Sequence, residues 1–323
     1  MYDNPFHTGS LKPYSFLVTG GAGFIGSHIV EYLLKYEAGR VRVLDNLLTG
    51  NIESLKPFQN YSAFEFFEGD IRDQEICAKA CEGIDFVLHQ AALGSVQRST
   101  LDPLTTHDIN VGGFLKMLIA AKEKGVKRFI YASSSSVYGD HPVLPKVEDT
   151  IGKPLSPYAV SKYSNELYAG VFAKTYGIEV IGMRYFNVFG PRQNAMGPYA
   201  AVIPSFVYDL KKNISPIIYG DGSQSRDFTF IENVIQANIK AIFVNSPESL
   251  NQVYNIACGE HHTVLQLFEL IRKKLDIQVM QQFELPRKGD IAHSLADISK
   301  AKGLLNYQPD FDLKRGLEIM LEG

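Results

Sequence analysis

Residues Tyr14 to Tyr36 read Y-S-F-L-V-T-G-G-A-G-F-I-G-S-H-I-V-E-Y-L-L-K-Y. Phe16-Leu17-Val18 is an apolar run of the length of a buried strand. Gly20, Gly23 and Gly26 follow at three-residue intervals. Phe24, Ile25, Ile29, Leu33 and Leu34 then recur at helical spacing. Strand, glycine turn and helix form the context of a dinucleotide-binding fingerprint. Gly20 permits the sharp turn, Gly23 lets the backbone approach a pyrophosphate, and Gly26 lets the helix pack on the strand. The free amides of the new helix, at Phe24 and Ile25, are expected to face the phosphates. The next apolar run, Val41 to Leu44, ends in Asp45 with Asn46 beside it. That acid stands about 20 residues beyond the last glycine, where a carboxylate meets the adenosine ribose hydroxyls. It would repel a 2′-phosphate, so the expected cofactor is NAD.

Outward from this stretch, the 323 residues are 45% hydrophobic and 21% charged, with a net charge of −3. Such a chain is an ordinary globular protein, without the basic field that nucleic acid or an anionic membrane attracts. No apolar run reaches membrane-spanning length. Met1 to Pro13 lacks an apolar core and reads as a short arm. Three cysteines are too few for a disulfide framework, so a cytoplasmic location is expected. Cys77 and Cys81 lie four apart in a probable helix. With no further ligand nearby, helix packing is expected and no metal.

Strands and helices alternate through the first half of the chain. Strands are expected at Phe64 to Glu68, Phe86 to Leu88, Phe129 to Ala132 and Val180 to Met183. Helices are expected at Asp73 to Cys81, Asn110 to Lys124 and Pro157 to Tyr176. This order predicts a doubly wound parallel α/β sheet, with ligands at the carboxyl ends of the strands. Two such ends, Asp70-Ile71 and Gln90-Ala91-Ala92, are therefore candidate cofactor contacts. After Met183 the rhythm changes. Arg184 to Arg226 is rich in Pro, Gly and aromatics, with a helix-like piece from Ala200 to Lys212. A helix at Ile231 to Val244 and a strand at Gln252 to Ala257 return to the core. Further helices are expected near Thr263 to Lys274, Ile298 to Leu305 and Leu313 to Leu321. The expected division is a nucleotide domain of residues 1–186 and 231–258, and a smaller discontinuous α/β domain of residues 187–230 and 259–323.

The candidate chemistry lies after the fifth strand. Ser133 to Ser136 precede Val137-Tyr138-Gly139, and Ser156-Pro157-Tyr158-Ala159-Val160-Ser161-Lys162 follows. Ser156 suits an N-cap and Pro157 the first helical position. Tyr158 and Lys162 then share one helix face. Together with T-G-G-A-G-F-I-G, this pattern resembles the extended short-chain dehydrogenases/reductases that act on nucleotide sugars, which have a Rossmann fold. The resemblance makes Tyr158 the catalytic base and Lys162 its partner, also bound to the nicotinamide ribose. It selects Ser134 as the active serine, with Ser133 and Ser135 as neighbours. A phenol near pKa 10 is a poor base at neutral pH, and an ammonium plus a cationic nicotinamide would lower that value.

The resemblance also separates reactions. Dehydratases and decarboxylases of the family carry acids after the active Ser or Thr. Here Ser135 and Ser136 stand there, and neither does acid-base work near neutral pH. Oxidation at a hydroxyl carbon and return of the hydride remain, which is epimerisation. Arg184-Tyr185-Phe186-Asn187 resembles the epimerases' R-Y-F-N, which implies Tyr185 at the cofactor and Asn187 at a diphosphate oxygen. Tyr199 to Pro204 would open a helix whose amides, at Ala201 and Val202, meet the diphosphate. Gly220 to Phe228 resembles G-D-G-x-x-x-R-D-F and gives Arg226 to phosphate, with Tyr219 beside the substrate. Arg287-Lys288-Gly289-Asp290 resembles R-x-G-D, giving Arg287 to phosphate and Asp290 to the uridine ribose. Four residues beyond Asp290, a Tyr in this family excludes N-acetyl sugars; here stands Ser294. Gly94, beside Ser95, replaces a Lys common in glucose/galactose enzymes. The segments A-A-L-G-S-V and H-S-L-A-D-I-S-K-A look closest to bacterial UDP-N-acetylglucosamine 4-epimerases of polysaccharide pathways. The resemblance implies tightly held NAD, a UDP-sugar substrate and a homodimer formed through the helices at Asn110 to Lys124 and Pro157 to Tyr176. A UDP-glucuronate 4-epimerase, a net oxidoreductase and a non-catalytic NAD-binding protein are the alternatives.

Overall fold

The computed structural model describes residues 1–196, 200–286 and 292–322. Seven parallel strands form the central sheet: β1 (Ser15–Thr19), β2 (Arg40–Asp45), β3 (Phe64–Glu68), β4 (Phe86–His89), β5 (Arg128–Ser134), β6 (Glu179–Tyr185) and β11 (Gln252–Ile256). Their spatial order is β11-β6-β5-β4-β1-β2-β3. Residues alternate between two cores. Phe16 and Val18 enter one, and Leu17 enters the other. Both sheet faces are buried, which is why these strands read as continuous apolar runs.

Helices α2 (Gln74–Ala80), α5 (Phe114–Glu123) and α6 (Pro157–Tyr176) cover one face. Cys77 and Cys81 are free thiols inside that packing, pushed up to about 12 by burial. Helices α1 (Phe24–Lys35) and α8 (Ile231–Phe243) cover the other face, in a core that continues into α7 (Val202–Lys211), α9 (Val264–Leu275), α10 (Ser299–Leu305) and α11 (Leu313–Glu322). Three two-stranded sheets complete the structure: β7 (Val188–Phe189) with β10 (Thr229–Phe230), β9 (Ser225–Arg226) with β12 (His262–Thr263), and β8 (Ile217–Tyr219) with β13 (Gln282–Glu284). All seven central strands fall in residues 1–186 and 231–258, and all six short strands fall outside them. We propose the two-domain division on that ground.

One stretch differs from expectation. The helix expected from Asn110 begins as a π-helical turn at Asp108–Gly113, and two short helices precede it, α3 (Val96–Leu101) and α4 (Pro103–His107). Neither is long enough to show a period. Their caps are plain in retrospect: Ser95 accepts from Arg98 N, and Asp102 accepts from Thr105 N before Pro103.

His89 ends β4, 3% exposed, with Nδ1 at 2.9 Å from Thr19 Oγ1. Burial and the Lys162 charge push it down to about 3. The unfolded histidine binds a proton near pH 6.5, so acidification below that value favours the unfolded chain. His89→Gln removes this dependence. Between pH 7 and pH 5, the wild type is expected to lose about 2 kcal/mol relative to the variant. Urea unfolding of both proteins at the two values measures it, and parallel pH profiles would contradict it.

Candidate active site

The strand order reverses at β1, whose neighbours are β2 and β4. A crevice opens at that point, outside the carboxyl ends of the strands. It is a cleft of about 910 Å³. Every residue expected to meet the dinucleotide lines it, from Gly20 after β1 to Tyr185 at the end of β6.

At one end the fit to a dinucleotide is read from close approach. Gly20 has φ +67, and a Cβ there would lie 2.7 Å from Ala91 N. A Cβ on Gly26 would lie 2.2 Å from Gly20 O. α1 starts at Gly23 with no side-chain cap, so its first amides have no intrahelical partner. Asp45 Oδ2 accepts from Ala22 N at 2.9 Å, and Oδ1 accepts from Leu47 N at 2.8 Å. These amides orient the carboxylate against the glycine turn and leave lone pairs for ribose hydroxyls. Asp70 takes a forked pair of bonds from Arg72 at 3.0 and 2.7 Å and one from Asn46 at 2.8 Å. The Arg72 bond foremost holds its carboxyl down to about 2. The residues present therefore fit NAD: uncapped amides for the pyrophosphate and a carboxylate for the ribose.

At the other end, Ser156 Oγ accepts from Ala159 N at 3.1 Å and opens α6 with Pro157 in its first turn. Tyr158 and Lys162 both face the cleft. Lys162 Nζ donates to Ala132 O at 2.8 Å and lies 5.9 Å from the Tyr158 ring centroid. Burial pushes this lysine down to about 8. Burial raises the Tyr158 pKa, and the Ser134 side chain beside it lowers it by less. The expected lowering by the ammonium is not among the causes the protein itself supplies. The reason is physical: Lys162 is desolvated and directs a proton at the β5 backbone.

Of the serine cluster, Ser134 is the one that acts on Tyr158, and both line the cleft. Ser133 lines the cleft, but its hydroxyl donates to Glu166 Oε1 at 2.5 Å. Ser135 is not among the cleft-lining residues. Gly94 and Asn187 line the cleft with Ser134 and Tyr158. A Cβ on Gly94 would meet nothing within 4 Å. Ser95 instead caps α3 with φ +101. Ala201 caps α7 without a side-chain bond, and Val202 begins it. Tyr219 lines a separate hollow with Gln224, Pro286 and His293. Arg226 donates to Ser225 O at 2.9 Å and Ala292 O at 3.3 Å. Ser294 is 8% exposed, its N–H bonded to Ser225 O at 3.0 Å. Ser95, Ala201, Val202, Tyr219, Arg226 and Ser294 do not line the cleft itself. Arg287 and Asp290 lie outside the described residues.

Sequence reasoning missed three supporting groups. Asn110, aimed by the π-helical turn, accepts from Leu93 N at 2.7 Å and donates to Leu93 O at 3.1 Å, fixing the Ala92–Gly94 wall. Glu166 sits one turn beyond Lys162 and takes Arg184 Nε and Nη2 at 2.9 and 2.8 Å, both side chains being nearly inaccessible. It ties α6 to β5 through Ser133 and to β6 through Arg184. Asn238 of α8 donates to Tyr185 Oη at 2.9 Å. Polar residues on otherwise apolar helix faces were the available signal.

The model of the NAD dependent epimerase/dehydratase family matches residues 16–257. A putative UDP-glucose 4-epimerase of Methanocaldococcus jannaschii is 39% identical over 304 residues, 94% of this chain and 95% of the relative. A solved UDP-N-acetylglucosamine 4-epimerase from Methanobrevibacter ruminantium M1, in complex with UDP-N-acetylmuramic acid, is 40% identical. Its TM-score is 0.91, over 96% of this chain and 97% of that one. A UDP-glucose 4-epimerase with UDP-glucose from Thermotoga maritima is 36% identical, with a TM-score of 0.89 over 95% and 97%.

Proposed function

The chain belongs to the NAD dependent epimerase/dehydratase family, and we propose that, among its UDP-sugar 4-epimerases, it interconverts UDP-N-acetylglucosamine and UDP-N-acetylgalactosamine, with slower turnover of the plain hexoses. The observation that carries the reading is that Ser134, Tyr158 and Lys162 line one cleft with the dinucleotide wall. NAD, held by the glycine turn, Asp45 and Lys162, would supply a reversible hydride acceptor for the sugar's C4. Tyr158 removes the C4 hydroxyl proton and gives it back after the 4-keto sugar has turned. Ser134 holds the same hydroxyl in line, and Lys162 meets the nicotinamide ribose. The buried Glu166–Arg184 pair fixes α6 against β6, and Glu166 reaches β5 through Ser133, so that Tyr158 and Ser134 keep their spacing. Ser135 and Ser136 offer no acid or base for elimination, which favours inversion over dehydration.

We assign Asn187, the α7 amides of Ala201 and Val202, Arg226 and Arg287 to the diphosphate, Tyr219 and Asp290 to the uridine end, and Ser294 with Gly94 to the space around C2. Small side chains at 94 and 294 support an N-acetyl group there. Enlarging position 294 tests this. Ser294→Tyr is expected to lower kcat/KM for UDP-N-acetylglucosamine by about tenfold to a hundredfold while sparing UDP-glucose. An unchanged ratio of the two substrates would remove Ser294 from specificity.

We also propose tight retention of NAD and a homodimer. α3 and α4 pack beside α6, and this face leaves Leu101, Leu104, Leu167 and Val171 more than half exposed. A contiguous apolar surface of this kind marks an association site. Among the described residues, no helix is long and apolar enough to cross a membrane.

A further inference from the structure

Residues 1–13 carry nothing that the proposed reaction uses, yet Tyr2 is fully buried. One residue meets two helices, α1 and α8. Its N–H donates to Glu232 Oε1 on α8 at 2.9 Å. Its carbonyl accepts from Tyr36 Oη, just past α1, at 2.8 Å. Its ring packs edge-on against Tyr32, centroids 5.6 Å apart. Its hydroxyl lies 2.6 Å from His28 Nδ1.

His28 is itself buried, and its other nitrogen, Nε2, lies 2.9 Å from Pro191 O. A carbonyl only accepts, so Nε2 carries the proton. The imidazole is neutral, since burial pushes it down to about 3. Nδ1 therefore accepts, and Tyr2 Oη donates to it. The Tyr2 hydroxyl thus selects the one neutral tautomer that reaches Pro191. Arg192 Nε also approaches Nε2, at 3.4 Å, but that nitrogen is already a donor. The guanidinium's partner is Glu31 of α1, at 2.5 Å.

The loop so held is part of the cofactor cleft. Arg192, Asn194 and Met196 line it. Arg192 has φ +65, a left-handed conformation that a non-glycine residue keeps only when its surroundings impose it. Within the loop, Gln193 bonds to Val188 O and Gly190 O. The bonds that tie it to α1 run through His28 and Glu31.

We propose that Tyr2 is a positioning residue for the dinucleotide, acting through His28 to fix the Pro191–Asn194 loop as a wall of the cleft. The proposal rests on the reading of that cleft as an NAD site. It assigns the N-terminal arm a part in cofactor retention, which neither the fingerprint nor the catalytic residues explain.

The test is calorimetric titration of NAD into the full-length protein after removal of bound cofactor, for the wild type, Tyr2→Phe and Tyr36→Phe. Phe at position 2 keeps the ring packing and removes only the hydroxyl. Phe at position 36 removes an arm-to-helix bond that does not pass through His28. Melting temperature follows folding in each. Tyr2→Phe is expected to bind NAD roughly three- to tenfold more weakly, with Tyr36→Phe within about twofold of the wild type. Equal affinity in all three proteins would overturn the proposal. Equal weakening in both variants would also overturn it, because general loosening of the arm would then suffice. A wild type that binds no NAD would overturn the cofactor reading beneath it, a result distinct from either.

Discussion

Tyr158→Phe is expected to lower kcat by about 10²- to 10⁴-fold, the range of a lost general acid-base group, while bound NAD and melting temperature change little. Only one oxygen is removed. The ring stays on α6 beneath Lys162, whose amine remains tied to Ala132 O. Ser134 keeps the bond it accepts from Ser136 N. The loss should fall on kcat rather than KM, because the phenol acts on the moving proton and not on the diphosphate that anchors the substrate. Cofactor content by absorbance and turnover by product analysis separate the two effects. Turnover within a factor of a few of the wild type would take Tyr158 out of the mechanism.

Gly26→Ala is expected to abolish measurable NAD binding and to destabilise the fold by about 1–3 kcal/mol. The added Cβ would sit 2.2 Å from Gly20 O, 2.7 Å from Gly21 Cα and 2.8 Å from Gly20 C. All three are backbone atoms of the turn that would hold the pyrophosphate, so none yields by rotating a side chain. Gly26 lies within α1, with no left-handed φ, and alanine favours a helix by about 1 kcal/mol over glycine. Propensity thus pushes toward stability, and a loss must come from the clash. Gly303→Ala, in α10 with nothing within 4 Å of its Cβ, supplies the control: it should be neutral or mildly stabilising. Chemical denaturation and NAD titration of both variants measure the difference. Normal cofactor affinity in Gly26→Ala would mean that the turn does not hold the dinucleotide.

The cofactor half of the site was legible because its signals are local. Gly20, Gly23, Gly26 and Asp45 sit within two strands and one helix, and their spacing follows from one turn geometry. Tyr158 and Lys162 were legible for the same reason, as neighbours on one helix face. What escaped were contacts between distant segments. Asn110 reaches Leu93 only because a π-helical turn replaces regular helix at Asp108–Gly113, and apolar periodicity does not register such a turn. Glu166 and Arg184 find each other across the sheet, which no spacing along the chain encodes. The electrostatics also needed the fold. From sequence, Lys162 was expected to draw down the Tyr158 pKa. Its burial, seen only in three dimensions, makes desolvation the larger effect on both groups. Residues 1–13 read only as a short arm because Tyr2 pairs with His28 and Glu232, the second far along the chain.

The central claim is that this site inverts C4 of an N-acetylated UDP-sugar with a hydride that returns to the substrate. Product analysis tests it most directly: purified protein, no added cofactor, UDP-N-acetylglucosamine and UDP-glucose side by side, with nicotinamide absorbance followed throughout. The account predicts formation of UDP-N-acetylgalactosamine, faster than UDP-galactose, with no net accumulation of NADH. No conversion of the acetylated sugar after NAD is restored, or NADH rising in step with sugar consumed, would contradict it.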